Sequence, residues 1–224
     1  MKPHSSLLAG AILLASASLA PAATLMVLDK AVGTAIPDND PGGLVSTISL
    51  APASTTIESV TVSLDVGSGW NGDLYVYLEH AGVISVLLNR AGNTAGNPIG
   101  AGSSGLQVLF TDAAATDIHT GIPGALGLPA AGTFQPDARA ADPGLVTDLS
   151  PRTLFLSGFA GQTSGGDWTL FAADVSDGDT AVLNNWSLSL TVVPEPSVFL
   201  LGVCGLGLLA RRRFGTDVTP RQGP

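Results

Sequence analysis

The sequence predicts an all-β sandwich, on three observations. Its 224 residues are 45% hydrophobic and only 12% charged, a balance that favours a packed core over a disordered chain. Small, β-branched and turn-forming residues dominate, with 28 Gly and 15 Pro, as in exported all-β domains. Apolar residues recur with period two between Gly/Asp/Asn turns, and no convincing helical period is found between the two ends. The expected architecture is a jelly-roll-like sandwich of about eight strands. A cleaved N-terminal signal peptide should precede it and a short C-terminal transmembrane helix should follow it.

The strands follow in order. Thr24 to Leu28 and Leu44 to Leu50 are short apolar stretches that open the domain. From Ile57 to Val66, Ile57, Val60, Val62, Leu64 and Val66 face one way and Thr61, Ser63 and Asp65 the other, a strand with one wet face. Asp73 to Glu79 alternates Leu74, Val76 and Leu78 with Tyr75 and Tyr77, and Ala81-Gly82 then turns the chain into Val83 to Leu88. Leu106 to Phe110, Trp168 to Val175 and Val182 to Val192 complete the set. In the last, Trp186, Leu188, Leu190 and Val192 share a face opposite Ser187, Ser189 and Thr191. Between Arg90 and Arg152 the pattern dissolves into Gly, Ala, Pro and Asp, which reads as surface loops around one or two strands.

Both ends stand apart from this pattern. Lys2 and His4, the apolar stretch Leu7 to Leu19 and the Ala20-Pro21-Ala22 cleavage site form a secretory signal peptide over residues 1–22. The apolar stretch is well short of the ~20 residues that a membrane span needs. At the other end, Val193-Pro194-Glu195-Pro196-Ser197 leads into the apolar run Val198 to Ala210 and then into Arg211-Arg212-Arg213. Arginines there would be held on the cytoplasmic side, leaving the Pro-Glu-Pro and all before it outside.

This three-part tail resembles the PEP-CTERM sorting signal that exosortase processes in Gram-negative bacteria making extracellular polysaccharide. The resemblance assigns Pro194, Glu195, Pro196, Arg211, Arg212 and Arg213 to the signal, over residues 194–213. It implies export through the Sec translocon, passage through the inner membrane on the C-terminal helix, and delivery to the cell surface or extracellular matrix. Phe214 to Pro224 departs from the family pattern, which usually stops after the basic cluster, and its composition reads as a disordered stub.

Charge narrows the function classes. The chain has 9 Lys and Arg against 18 Asp and Glu, a net charge of −9, so the basic footprint of a nucleic-acid binder is missing. Between Ala23 and Val193 only Lys30, Arg90, Arg139 and Arg152 are positive, four against sixteen acids. Solubility, surface exclusion and divalent-cation binding all fit such a domain. One cysteine, Cys204, rules out an internal disulfide framework and a Cys-rich zinc site.

Three stretches carry a second resemblance: Ala35-Ile36-Pro37-Asp38-Asn39, then Trp70-Asn71-Gly72-Asp73-Leu74-Tyr75-Val76-Tyr77-Leu78, then Gly166-Asp167-Trp168-Thr169-Leu170 with Asp174, Gly178-Asp179 and Trp186-Ser187-Leu188. Their order and spacing are similar to the P domain (P/Homo B) that follows the catalytic domain in proprotein convertases and many bacterial subtilisin-like proteases. The resemblance implies a jelly-roll-type β-sandwich over residues 24–193. His80-Ala81-Gly82 departs from the turn usual in that family. Trp168 and Trp186 read as core rings closing one end of the sandwich. Asp38, Asp73, Asp174 and Asp179 are candidate Ca2+ ligands, being hard oxygen donors in loops or at a strand start, with Asx turns as the plain alternative.

No enzyme is expected. A subtilisin-like catalytic domain does not fit beside the sandwich, no G-x-S-x-G elbow is present, and His80 and His119 read as solvated surface residues. The reading is a non-catalytic exported surface or matrix protein sorted by exosortase. One alternative is an extracellular polysaccharide-binding module stacking sugars on Tyr75, Tyr77 or Trp70. Another is an accessory P domain acting in trans on a subtilisin-like serine protease.

Overall fold

The computed structural model describes residues 22–122 and 127–194. Their strands are β1 (Thr24–Ala35), β2 (Asp40–Leu50), β3 (Thr55–Trp70), β4 (Leu74–His80), β5 (Val83–Asn89), β6 (Ser104–Phe110), β7 (Ala130–Phe134), β8 (Gly166–Asp174) and β9 (Val182–Pro194). A single turn of α-helix, α1 (Ile118–Gly121), precedes β7. The strands form a five-stranded sheet of order β1-β9-β3-β6-β7 and a four-stranded sheet of order β2-β8-β4-β5. All pairs are antiparallel except β6 with β7. The all-β sandwich read from the pattern is the observed fold, with nine strands among the described residues.

Period-two patterning sets which face of each strand is buried. Val60, Val62, Leu64 and Val66 of β3, Leu74, Val76 and Leu78 of β4, and Trp186, Leu188, Leu190 and Val192 of β9 all enter one core. The odd spacing from Ile57 to Val60 is absorbed by a register shift between Ile57 and Ser59 against β9, so both side chains stay inside. Ala81 and Gly82 both have positive φ, 50° and 80°, the backbone that a two-residue hairpin with the native strand twist demands.

The two halves of the sandwich are tied by polar bonds as well as by packing. From β9 in the first sheet, the Trp186 indole Nε1 donates to Ser46 Oγ on β2 of the second at 2.9 Å, with both side chains buried. Trp168 of β8 donates from Nε1 to the Ser164 carbonyl at 3.1 Å. Both rings are core, as expected.

Two histidines correct the sequence reading. His80 has the parity of Leu74, Val76 and Leu78, so it turns inward at the end of β4 and is only 2% exposed. Its ring stacks on Trp168 at 4.0 Å, and its two nitrogens lie 2.8 and 2.9 Å from the carbonyl oxygens of Asp167 and Thr163. His119, on α1, is also buried rather than solvated.

The stretch from Arg90 to Arg152 holds β6, α1 and β7, in line with loops around one or two strands. What orders it is a buried ionic cluster. His119 Nδ1 meets Asp137 Oδ2 at 2.7 Å, and its Nε2 meets the Asn93 carbonyl at 2.8 Å. Arg139 reaches Asp137 at 3.2 Å and Asp117 at 2.9 Å, while Arg152 donates to the carbonyls of Asp137 and Pro136. Asn89, at the end of β5, donates to the carbonyls of Arg139 and Ala141, fastening the segment to the second sheet.

Among the described residues no helix is long and apolar enough to cross a membrane. The signal peptide of residues 1–22 lies almost wholly outside them. Glu195, Pro196, the apolar run and Arg211 to Arg213 lie entirely outside them.

Candidate functional site

The acidic residues singled out in the sequence gather at one end of the sandwich. Asp73 immediately precedes β4, and Asp174 closes β8 opposite Leu74 in the register. The Val175 amide donates to the Asp73 carbonyl at 2.9 Å, which pins the β8 exit to the β4 entrance. Residues 175–179 then form a loop that bears Asp177 and Asp179, and Asp38 sits in the turn between β1 and β2. Trp70, Asp73, Ile99, Asp177 and Asp179 line a cleft of about 390 Å³ at this end.

Gly72 makes the cleft wall possible. A Cβ at this position would run into the Ile99 carbonyl and the Ala101 amide, so only glycine lets the segment around residue 100 lie against the strand start. Arg90, with φ at 48°, is the cation that faces the acids. Its Nε donates to the Gly72 carbonyl at 3.1 Å, and its Nη2 stands 3.7 Å from Asp73 Oδ1.

Asp174 has the parity of Trp168, Leu170 and Ala172, so β8 drives its carboxylate into the end of the core, where it is fully buried. One oxygen, Oδ1, accepts from the Ser176 amide at 3.3 Å. The other, Oδ2, has no partner among the described residues. Burial, reinforced by the negative charges of Asp73, Asp179 and Asp38 and opposed by the Ser176 amide, pushes the Asp174 carboxyl up to about 6. Asp73 is raised as well, by burial first, with Arg90 pulling down and Asp179 pushing up. Among the described residues, no three Asp, Glu, His or Cys side chains converge as a ready-made ligand set.

A raised carboxyl binds its proton more tightly in the folded chain than in the unfolded one, so stability falls as pH rises between the two values. Melting in chelator is therefore expected to shift downward as pH goes from about 4 through about 6, with Asp174→Asn removing most of that slope. Differential scanning calorimetry at pH 4.5, 6 and 7.5 measures it; an unchanged slope in the variant would place the lost protons elsewhere.

The candidate stacking residues do not form one surface. Tyr75 and Tyr77 project from the outer face of the second sheet and are half-buried there. The Tyr77 ring stacks on Phe171 at 4.8 Å and 19°, and Tyr75 packs against both. Trp70 is in the acidic cleft instead. Phe171, which completes the cluster, was not among the sequence candidates, although it has the outward parity of Thr169 and aligns with Tyr77 across the strands. Of the sorting-signal residues only Pro194 is described, as the exposed last residue of β9.

No protein-family model matches the chain, and no curated protein matches it. Among solved structures, the chain is similar to the serine protease of Aeromonas sobria, at 18% identity and a TM-score of 0.45. It is similar also to the complex of that protease with its chaperone, at 16% identity and the same TM-score. In both cases the match covers 80% of this chain and 28% of the other, so the chain spans little more than a quarter of the length of the structures it matches.

Proposed function

We propose that this chain is a non-catalytic, exported surface or matrix protein: a P-like β-sandwich sent out by the Sec route and processed at its C-terminal tail by exosortase. The observation that carries the reading is the order Pro194-Glu195-Pro196, apolar run Val198 to Ala210, Arg211-Arg212-Arg213, beginning on the residue where β9 ends. Folded mass and tail meet without a spacer. Val193 and Pro194 still stand opposite Thr56 and Thr55 of β3.

The mechanism is physical. The run from Val198 to Ala210 is shorter than a typical ~20-residue span but apolar throughout from Phe199 to Leu209; it enters the inner membrane, the three arginines behind it stop its transfer, and the Pro-Glu-Pro is left at the outer face for the processing enzyme. The sandwich emerges on the same side, strongly acidic and closed around its own core. Both ring nitrogens of each buried histidine are occupied by carbonyl or carboxylate oxygens, which supports a packing role for His80 and His119 rather than acid–base work.

The test is the intact mass of the protein recovered from the envelope and medium of its own host. The expected chain ends between Pro194 and Ser197, with or without an attached group. Recovery with Arg211 to Pro224 still in place would refute processing at this tail.

A further inference from the structure

We propose that the acidic end of the sandwich is a divalent-cation site, suited to Ca2+, in which Asp174 Oδ2 is an inner ligand and Asp73 and Asp179 close over the ion from the strand start and the 175–179 loop. Two independent observations carry it. The first is the cleft lined by Asp73, Asp177 and Asp179. The second is a carboxylate oxygen at the end of the core that no donor reaches, on a side chain with no solvent exposure. A buried polar atom without a partner costs about 1–3 kcal/mol and more when charged, so an ionised aspartate at the inward parity of β8 calls for a cationic partner at that oxygen.

Among the described residues no basic side chain is left for this role. Between residues 22 and 194 the basic residues are Lys30, Arg90, Arg139 and Arg152. Arg139 and Arg152 are committed to Asp137 and Asp117, and Lys30 stands on β1 opposite Trp186. Arg90 faces only Asp73, at 3.7 Å, and spends its other donors on the carbonyls of Gly72 and Pro98. A proton on Asp174 would remove one charge and leave Asp73, Asp179 and Asp38 facing one guanidinium.

Ca2+ takes six to eight oxygens from carboxylates, backbone carbonyls and water in a flexible arrangement, and the loop supplies carbonyls as well as side chains. Asp179 is half-buried on the 175–179 loop, at the rim of the cleft that Asp73 and Asp177 also line. The proposal is independent of the tail and of its processing.

The experiment titrates the full chain, stripped with EDTA, with CaCl2 and follows thermal melting and tryptophan emission. Trp70 is the reporter, because it lines the cleft while Trp168 and Trp186 are fully buried. At a hundredfold excess over Kd, Tm is expected to rise by about 5–10 °C with a change in emission. Asp174→Asn and, on the loop, Asp179→Asn should each weaken the apparent Kd at least tenfold, while Asp142→Asn, in an exposed turn outside the cleft, should leave it unchanged. The surface position of Asp179 keeps the test valid if the core variant folds poorly. A Tm indifferent to CaCl2 and EDTA would overturn the proposal. So would an equal rise with MgCl2 at matched ionic strength, which would indicate screening of an acidic surface, and so would an undiminished response in both variants.

Discussion

Asp137→Ala is expected to destabilise the sandwich by about 3–5 kcal/mol, measured by urea unfolding at pH 6. Asp137 is completely buried and holds two cationic side chains at once: His119 on Oδ2 at 2.7 Å and Arg139 on Oδ1 at 3.2 Å. Its Oδ2 also accepts from the Asn89 amide at 3.2 Å. Truncation leaves a guanidinium without half of its counter-charge and a backbone N–H without an acceptor, and it is the orphaned groups rather than the lost bond that set the cost. Asp137→Asn, which keeps the shape and loses the charge, should fall between.

The same cluster has a pH signature. His119 faces a carboxylate through one ring nitrogen and a carbonyl through the other, so full bonding needs hydrogen on both. Burial pushes its pKa down, but the bond to Asp137, the charge of Asp137 and the Asn93 carbonyl together outweigh that and leave it raised. A raised histidine contributes stability that is complete below its unfolded value of about 6.5 and is lost as pH climbs through the higher folded value. The urea midpoint should fall over that window in the parent chain and stay nearly flat in Asp137→Ala. Equal slopes in the two would mean that His119 is not the group responsible.

Trp186→Ala should cost about 3–5 kcal/mol, on a par with the loss of Asp137 but without pH dependence. Its ring is fully buried on the strand between β1 and β3, facing Lys30 on one side and Leu64 on the other in the register. Removing it opens a cavity at the centre of the larger sheet and strands the Ser46 hydroxyl across the core. Trp186→Phe fills most of the cavity yet still abandons Ser46, so about 1–3 kcal/mol is expected from the unsatisfied group. Thermal melts of the three chains at pH 6 separate the two contributions. A Phe variant as stable as the parent would show that the bond between the sheets adds nothing.

How far each feature could be read in advance depends on whether one-dimensional parity encodes it. Leu74, Val76 and Leu78 announced β4, and Trp186, Leu188, Leu190 and Val192 announced β9, because a half-buried strand must alternate. His80 and Asp174 obey the same rule. Extending the count by one step from Leu78 and from Ala172 puts both inside, although their polarity argued for the surface and for a loop. The pull of chemical type over register was the error at His80. The outward aromatic cluster was half legible: Tyr75 and Tyr77 alternate visibly, but Phe171 joins them only because β8 lies beside β4.

Local patterning was enough for the strands other than β7, for the inward faces of β3, β4 and β9, for the Ala81-Gly82 turn and for the order of the three-part tail, since all of these depend on neighbours a few residues away. Tertiary structure alone decided what long-range pairing controls: the strand order of the two sheets, the gathering of Asp38, Asp73, Asp174 and Asp179 at one end, and the burial of His119 against Asp137. None of these has a local period. The segment from Arg90 to Arg152 is the clearest case, because its order comes from ion pairs and carbonyl bonds among Asp117, Asp137, Arg139 and Arg152. Such contacts carry no spacing rule and exist only once β5 and β6 have brought their flanks together.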